Sequence, residues 1–361
     1  MAASRTRKWV GWGVLALVAC ALAACSTLGY YWQAADGQLE LKRKARPIDD
    51  VLVDAGTSAD LQSRLRRVQE IREFASAQLA LPRNGSYQRY ADLKRPYVVW
   101  NVFAAPEFSV TPRTWCFPIA GCVGYRGYFA EADAERFAAQ LKSQRYDVYV
   151  GGVPAYSTLG WMDDPVLNTF VGYPEVELAR LIFHELAHQV AYAKGDSTFN
   201  ESFAVAVELE GVRRWIAQHG TPDQQAALER ADARKEQFAE LVSHTRARLR
   251  EVYSSGAPPE RMRAEKLQTL ETMRAEYQAL KAGWGGYGGY DWWFAQPLNN
   301  AQLASVAIYT QLVPGFQALL AREEGDLPRF YADVRELARL PKAQRRSSLG
   351  VRDMGSDDAS G

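Results

Sequence analysis

The chain has 361 residues, with 43 Lys and Arg against 42 Asp and Glu, a net charge of +1 and 47% apolar residues. Balanced charge with scattered basic residues carries no electrostatic footprint for nucleic acid. An apolar content this high fills a core for one large or two modest domains.

In chain order, Arg5, Arg7 and Lys8 form a basic start, followed by the apolar run WVGWGVLALVACALAA and Cys25. Charged head, short apolar core and small residues at a cleavage site are the pattern of a secretory signal peptide. The run is shorter than the roughly 20 apolar residues of a membrane span, although an uncleaved anchor is the other reading. Leu22-Ala23-Ala24-Cys25 resembles the lipobox of bacterial lipoproteins, which implies cleavage after residue 24 and lipid on Cys25. Ser26 resembles the version sent to the outer membrane, and the folded body is expected to face the periplasm. Beyond Cys25 only Cys116 and Cys122 remain, and five intervening residues with Pro118 and Gly121 suit a disulfide-stapled loop. A zinc or redox pair would want Cys-x-x-Cys spacing or further cysteines.

Residues 58–81 carry Leu61, Leu65, Val68, Ile71, Ala75 and Leu79 at helical steps, and PRNGSYQRY closes that helix. RPYVVWNVFAAP and RYDVYVGGVPAYSTL, rich in valine and aromatics, are expected as strands around a short helix EADAERFAAQLKSQ with Phe137 and Leu141 inward. A helix from Glu175 to about Lys194 buries Leu178, Leu181, Ile182, Leu186 and Val190, and Gly195-Asp196 breaks it. The next helix runs from about Asn200 to Ala217. Thr221-Pro222-Asp223-Gln224 matches a capping box and starts a long charged helix to about Tyr253. SSGAPPE turns the chain into a second helix reaching about Ala282, so the two form a hairpin with a solvated charged face. Apolar helices follow at about 299–322 and 325–340, then a small, polar tail expected to be disordered. The expected divisions are a signal peptide over 1–24, an N-terminal helical segment over 25–93, a catalytic core over 94–220, a C-terminal helical region over 221–345 and the tail over 346–361. The fold class is α+β and mostly helical, with a small sheet.

His184-Glu185-Leu186-Ala187-His188 falls on the first of the two central helices, in a chain with only four histidines. Positions four apart on a helix are turned about 40° from each other, so both rings point one way and share one ion. Glu185 is offset by about 100° and flanks the ion. Neutral imidazoles suit zinc, and a catalytic zinc keeps three protein ligands and one water. Such a water needs a base, and Glu185 stands where it takes the proton and passes it to the leaving amine. Glu201, in the first turn of the following helix, is the expected third ligand, with Glu208 as acceptor for a histidine N–H. The swapped assignment is its competitor, and a glutamate that merely favours the helix dipole is the plain alternative. His219 and His244 are expected at the surface.

His-Glu-x-x-His followed by Asn200-Glu201 on the next helix resembles the gluzincin type of zincin metallopeptidase, with Glu201 matching its glutamate ligand and a shorter spacing than usual after His188. More of the chain resembles a bacterial family of zinc aminopeptidases, often lipoproteins. The matching pieces are GYYWQAADGQLEL, TWCFPIAGCVGYRGYF, YDVYVGGVPAYSTLGW, HELAHQ, FNESFA and LNNAQLASVAIYTQLVPGF. The resemblance implies a zincin-like core, one zinc ion and a peptide substrate, with no nucleotide cofactor.

An aminopeptidase also needs a carboxylate for the substrate ammonium and a donor for the oxyanion. Asp163 and Asp164 are candidates for the first, a turn or cap being the other reading. Tyr290 and Tyr309 are candidates for the second, against a role as core aromatics. GWGGYG at 283–288 fits Gly-x-Gly-x-x-Gly formally but follows a helix, which rejects a dinucleotide site and leaves an aromatic loop near the cleft. The expected function is a lipid-anchored periplasmic zinc aminopeptidase. An envelope-protein endopeptidase and a non-catalytic scaffold or chaperone with a vestigial zinc site are its rivals.

Overall fold

The structure, a computed structural model, describes residues 29–350 except position 119. The signal peptide, Cys25 and the end of the tail lie outside the described residues. The chain divides into two compact units, Met1–Ala45 and Arg46–Gly361. In the first, residues 29–44 form helix α1, with Lys44 paired to Glu40 one turn back at 2.8 Å.

The second unit begins with β1 (Arg46–Pro47), α2 (Ile48–Val53) and α3 (Ala59–Gln78). Ser58 caps α3 by accepting from Leu61 N, and Leu65, Val68, Ile71 and Ala75 form its buried stripe. Strands β2 (Arg89–Ala91), β3 (Val99–Pro106), β4 (Trp115–Phe117), β5 (Gly121–Val123) and β6 (Arg126–Tyr128) precede α4 (Glu131–Ser143). Then come β7 (Tyr146–Val153) and β8 (Val166–Leu167). The two segments read as strands are β3 and β7, which pair antiparallel in the sheet order β6-β3-β7. On α4 between them Leu141 is buried, while Phe137 is half-buried against Trp115 and Tyr128. β2 pairs with β8 in a smaller sheet, so residues 46–93 are built into the same unit as those after position 94.

Helices α5 (Glu175–Ala187) and α6 (Ser197–His219) pack on each other, with α3 against α5. Gly211 permits the contact, since a Cβ there would lie 2.6 Å from the Phe183 ring. α5 stops at Ala187, well short of Lys194, because long-range partners take over its backbone. Asn200 accepts from Ala193 N at 2.7 Å and donates to Ala193 O at 3.0 Å, while Gly195 N donates to Ala120 O at 3.1 Å. Correspondingly α6 begins at Ser197, capped by Asp196, and Glu201 stands in its second turn rather than its first.

The capping box opens α7 (Pro222–Ser254) as expected, with Thr221 and Gln224 bonded reciprocally. α7 forms a hairpin with α8 (Pro259–Gly283), and Phe238, Leu241, Leu249, Leu270, Met273 and Tyr277 fill the seam. After α9 (Asp291–Phe294), the apolar segment 299–322 is two helices, α10 (Asn300–Thr310) and α11 (Val313–Arg322). Pro314 cannot donate to residue 310 and its ring crowds that carbonyl, so the helix breaks there. Ser202 of α6 bridges the break, donating to Tyr309 O at 3.3 Å and accepting from Leu312 N at 3.2 Å. α12 (Leu327–Arg339) and α13 (Lys342–Ser348) complete the fold. The region read as tail is therefore ordered at its start, and Leu349 is buried against Gly315.

Candidate metal centre

His184 lies in the last turn of α5, and His188 caps it with helical φ −58° and ψ −22°. Their rings consequently share one side of the helix, 4.9 Å between centroids. The turn that reverses at Gly195, with φ +79°, returns the chain so that α6 delivers Glu201 to both rings. Glu201 Oε2 is 3.2 Å from His184 Nε2 and 3.5 Å from His188 Nε2. One donor atom from each residue lies within 4.8 Å of the others, and all three side chains are buried. Two donors on a tetrahedral ion at about 2.0–2.1 Å stand about 3.3 Å apart, so this spacing suits a single zinc-sized cation.

The outer partners agree with that assignment. Glu208 Oε2 accepts from His184 Nδ1 at 2.8 Å, which places a proton on Nδ1 and leaves Nε2 to face Glu201, as a donor in the metal-free protein and as the ligand atom where a cation would sit. Glu208 is steadied by Arg180, one turn before His184 on α5, at 3.4 Å, and Arg180 reaches Asp232 of α7 at 2.9 Å. Asp232, Arg180, Glu208 and His184 thus form a continuous chain across three helices. Arg180 went unnoticed in the sequence, although a lone cation on the buried face four residues before a histidine is a usable signal. His188 Nδ1, by contrast, is buried with no hydrogen-bond partner among the described residues.

Burial opposes charge on His184, but its hydrogen bonds to Glu201 and Glu208 outweigh this and raise its pKa well above the ordinary value. Burial likewise pushes Glu201 up, yet the charge of His188 and the bonds to both histidines hold it at about 2. Glu208 is drawn below the usual range by His184 and Arg180 in spite of burial. Two carboxylates kept anionic on either side of the His184 ring stabilise a positive charge between them, which the imidazolium supplies in the metal-free protein.

Glu185 is 8% exposed and makes no side-chain hydrogen bond among the described residues. Burial raises its pKa, and the charges of Glu201 and Glu208 add to that against the opposing histidines. A buried carboxylate beside a metal-type donor set has the placement of a general base. Tyr87, another residue that the sequence did not mark, is 1% exposed with a hydroxyl that has no hydrogen-bond partner among the described residues, and burial, then the charges of Glu185 and Asp164, raise its pKa.

Tyr309 stacks beside His184 at 6.2 Å, and after burial the charge of Glu201 does most to raise its pKa. Tyr290 instead stacks on Phe238 of the hairpin at 4.1 Å, and its electrostatic neighbours are Tyr287, Arg234, Glu177 and Arg180. Asp164 is turned inward, 5% exposed, accepting from Thr158 N at 3.0 Å. Burial lifts its pKa to about 7, with Glu185 among the charges that add to the shift. Asp163 is exposed over Gly85. His219 and His244 are exposed, as expected. Within GWGGYG, Trp284 donates to Gln237 of α7 at 2.6 Å and Tyr287 lies under Arg234.

A cleft of about 1190 Å³ runs between α6, α7, α10, α11 and one face of the β3–β7 pair. Glu208, Tyr309 and Tyr290 line it, whereas His184, Glu185, His188 and Glu201 do not. The cleft therefore borders the donor set at its outer partner Glu208 and at Tyr309. On another side stands the hairpin β4–β5, where Cys116 and Cys122 face each other and are joined by a disulfide. Its tip holds the turn between α5 and α6. Tyr192 donates its hydroxyl to Ala120 O at 3.1 Å, and a Cβ on Gly121, whose φ is +77°, would lie 2.6 Å from Gly195 N.

Fold and donor set define an α+β protein, mostly helical, with a buried His-His-Glu group able to hold a metal ion. The chain belongs to the family described as "Putative aminopeptidase", which it matches over residues 29–349. No curated protein and no solved structure matches it. The family implies a peptide substrate.

Proposed function

We propose that the protein is a zinc-dependent aminopeptidase with a gluzincin-type site. The observation that carries this reading is Glu185, buried beside three convergent donors and bonded to nothing among the described residues. A structural zinc site has no use for such a residue. His184, His188 and Glu201 would hold the zinc, which would supply an acidified water and a Lewis acid for the scissile carbonyl. Glu185 takes the proton of the attacking water on its carboxylate and delivers it to the nitrogen of the leaving amine. Glu208, backed by Arg180, keeps the His184 ring oriented through Nδ1. Tyr309 is the oxyanion donor in this reading, because it is the candidate tyrosine next to His184, and Tyr290 belongs to the cleft wall. Asp164, near Glu185, or Asp163 meets the substrate ammonium. Cleavage before Cys25 and its lipidation would hold the enzyme at the outer membrane, facing the periplasm.

The test combines metal analysis with hydrolysis. Purified protein is expected to contain zinc, lose activity to a chelator and regain it when zinc is returned. Glu185→Gln is expected to keep the metal and lose roughly 10²- to 10⁴-fold in hydrolysis. Peptides with a free amine should be cut and their N-acetylated forms spared. A protein that takes up no transition metal would sink the reading.

A further inference from the structure

Asn101 is the polar residue in the middle of the apolar strand β3, in VVWNVFAA. It is 7% exposed and lines the cleft, and its carboxamide makes no hydrogen bond among the described residues. Both residues that face it across the sheet are glycines, Gly127 on β6 and Gly151 on β7. A Cβ at Gly127 would come 3.1 Å from Asn101 Oδ1, and one at Gly151 would come 3.2 Å from the Tyr149 ring. In the row Gly127–Asn101–Gly151 the flanking positions carry no side chain of their own, and Val99 and Tyr149 lean over the two glycines, so the one polar group of the row sits between an aliphatic and an aromatic neighbour. Phe103 and Tyr149, the next pair along on the same face, wall one end, 6.1 Å between ring centroids. The carboxamide opens into the cleft rather than into the protein interior, at a position where a central strand would ordinarily carry an apolar residue.

A carboxamide offers a donor and an acceptor side by side, the complement of a backbone peptide group. The rest of the cleft sorts ligands by charge and polarity. Val205, Leu209, Leu228 and Val306 present apolar walls. Glu229 and Glu236 of α7 line it without an ion-pair partner among the described residues, whereas the lining cations Arg213 and Lys235 stand against Glu210 and Glu177, so the acidic excess disfavours anionic groups. The volume exceeds the roughly 300–1,000 Å³ that hold a drug-sized ligand, so several residues fit.

We propose that this cleft binds an extended, apolar, cationic peptide segment, with Asn101 bracketing one of its backbone peptide groups. The inference rests on the peptidase reading for its choice of ligand. It makes Asn101 a residue that binds substrate and sets a preference against acidic peptides.

Binding is measured without turnover, by fluorescence anisotropy on Glu185→Gln protein. The probes are a short labelled peptide of leucine and alanine with lysines, the same peptide with glutamates, and a series in which single peptide bonds are replaced by esters. The glutamate peptide is expected to bind at least about tenfold more weakly, and one ester position to cost about tenfold. Adding Asn101→Leu should weaken the lysine peptide about tenfold, abolish the penalty at that ester position and leave the melting temperature equal or higher. Equal affinity in Asn101→Leu protein, or an ester penalty that survives it, overturns the proposal. Should Asn101→Leu fail to fold, the ester series on the parent protein decides: a loss confined to one bond supports the site, and a uniform or absent loss refutes it. Asn101-dependent binding without hydrolysis by the wild type would sink the peptidase reading and leave the cleft assignment standing. Hydrolysis with a KM indifferent to Asn101→Leu would do the reverse.

Discussion

Asp196 accepts from Phe199 N with one carboxylate oxygen and from Arg345 at 2.5 Å with the other, and both side chains are almost wholly buried. Arg345 also donates to Leu337 O, Ala338 O and Leu340 O, so the end of α12 is fastened to the cap of the helix that carries Glu201. Removing one partner of a buried pair leaves an uncompensated charge, which costs about 3–5 kcal/mol. Arg345→Ala is expected to lose that much in urea denaturation, with the midpoint lowered and the slope unchanged. A loss below about 1 kcal/mol would mean that solvent reaches the pair and that α12 is not holding the cap.

Glu208 accepts from His184 Nδ1, and an outer carboxylate of this kind typically contributes 10- to 100-fold in metal affinity. Glu208→Gln should weaken zinc binding by about tenfold or more while leaving stoichiometry at one ion. Arg180→Gln removes the cation that steadies Glu208 and should move affinity in the same direction, by less. Competition with a coloured chelator measures both. Unchanged zinc affinity in Glu208→Gln would break the proposed chain from α7 to the metal.

The disulfide hairpin touches the turn between α5 and α6 through Ala120 O, which accepts from Gly195 N and from the Tyr192 hydroxyl. Closing a loop this short contributes roughly 2 kcal/mol by chain entropy. Cys116→Ser with Cys122→Ser should cost about that much in global stability. Hydrogen exchange at Gly195 N should accelerate more than exchange within α5. Exchange that rises evenly across both would show that the hairpin does not secure the turn.

What could be read from the chain, and what could not, follows from the range of the contacts. His184, Glu185 and His188 lie within a single helical turn, so their geometry needs no tertiary information. The capping box at Thr221 and the strands β3 and β7 are similarly local. The early stop of α5 is not, because Asn200 and Ala120 supply the partners that end it. Arg345 lies in a polar stretch whose composition reads as tail, and only its distant partner Asp196 gives it a place. Asn101 becomes meaningful once β6 and β7 bring glycines to either side. The break between α10 and α11 was accessible from Pro314 alone and was missed because the apolar run reads on through it.

Asp164 provides a pH signature. Its carboxyl titrates at about 7 in the folded protein against 3.8 as the ordinary value, chiefly through burial. Between those two values the folded state holds a proton that the unfolded state has released, so stability falls as pH rises through the window. Above about pH 7 the loss is complete, and at 1.36 kcal/mol per unit its upper bound is about 4 kcal/mol. Asp164→Asn keeps an acceptor for Thr158 N without the charge. It should therefore stabilise the metal-free protein by a few kcal/mol near pH 8 and by almost nothing near pH 4, with the slope between them flattened. Melting temperatures across that range, in the presence of chelator, measure the effect. If Asp164 meets the substrate ammonium, the same variant raises KM for free-amine peptides at neutral pH. A parallel pair of stability curves for parent and variant would mean that Asp164 ionises freely and is not held in an apolar setting beside Glu185.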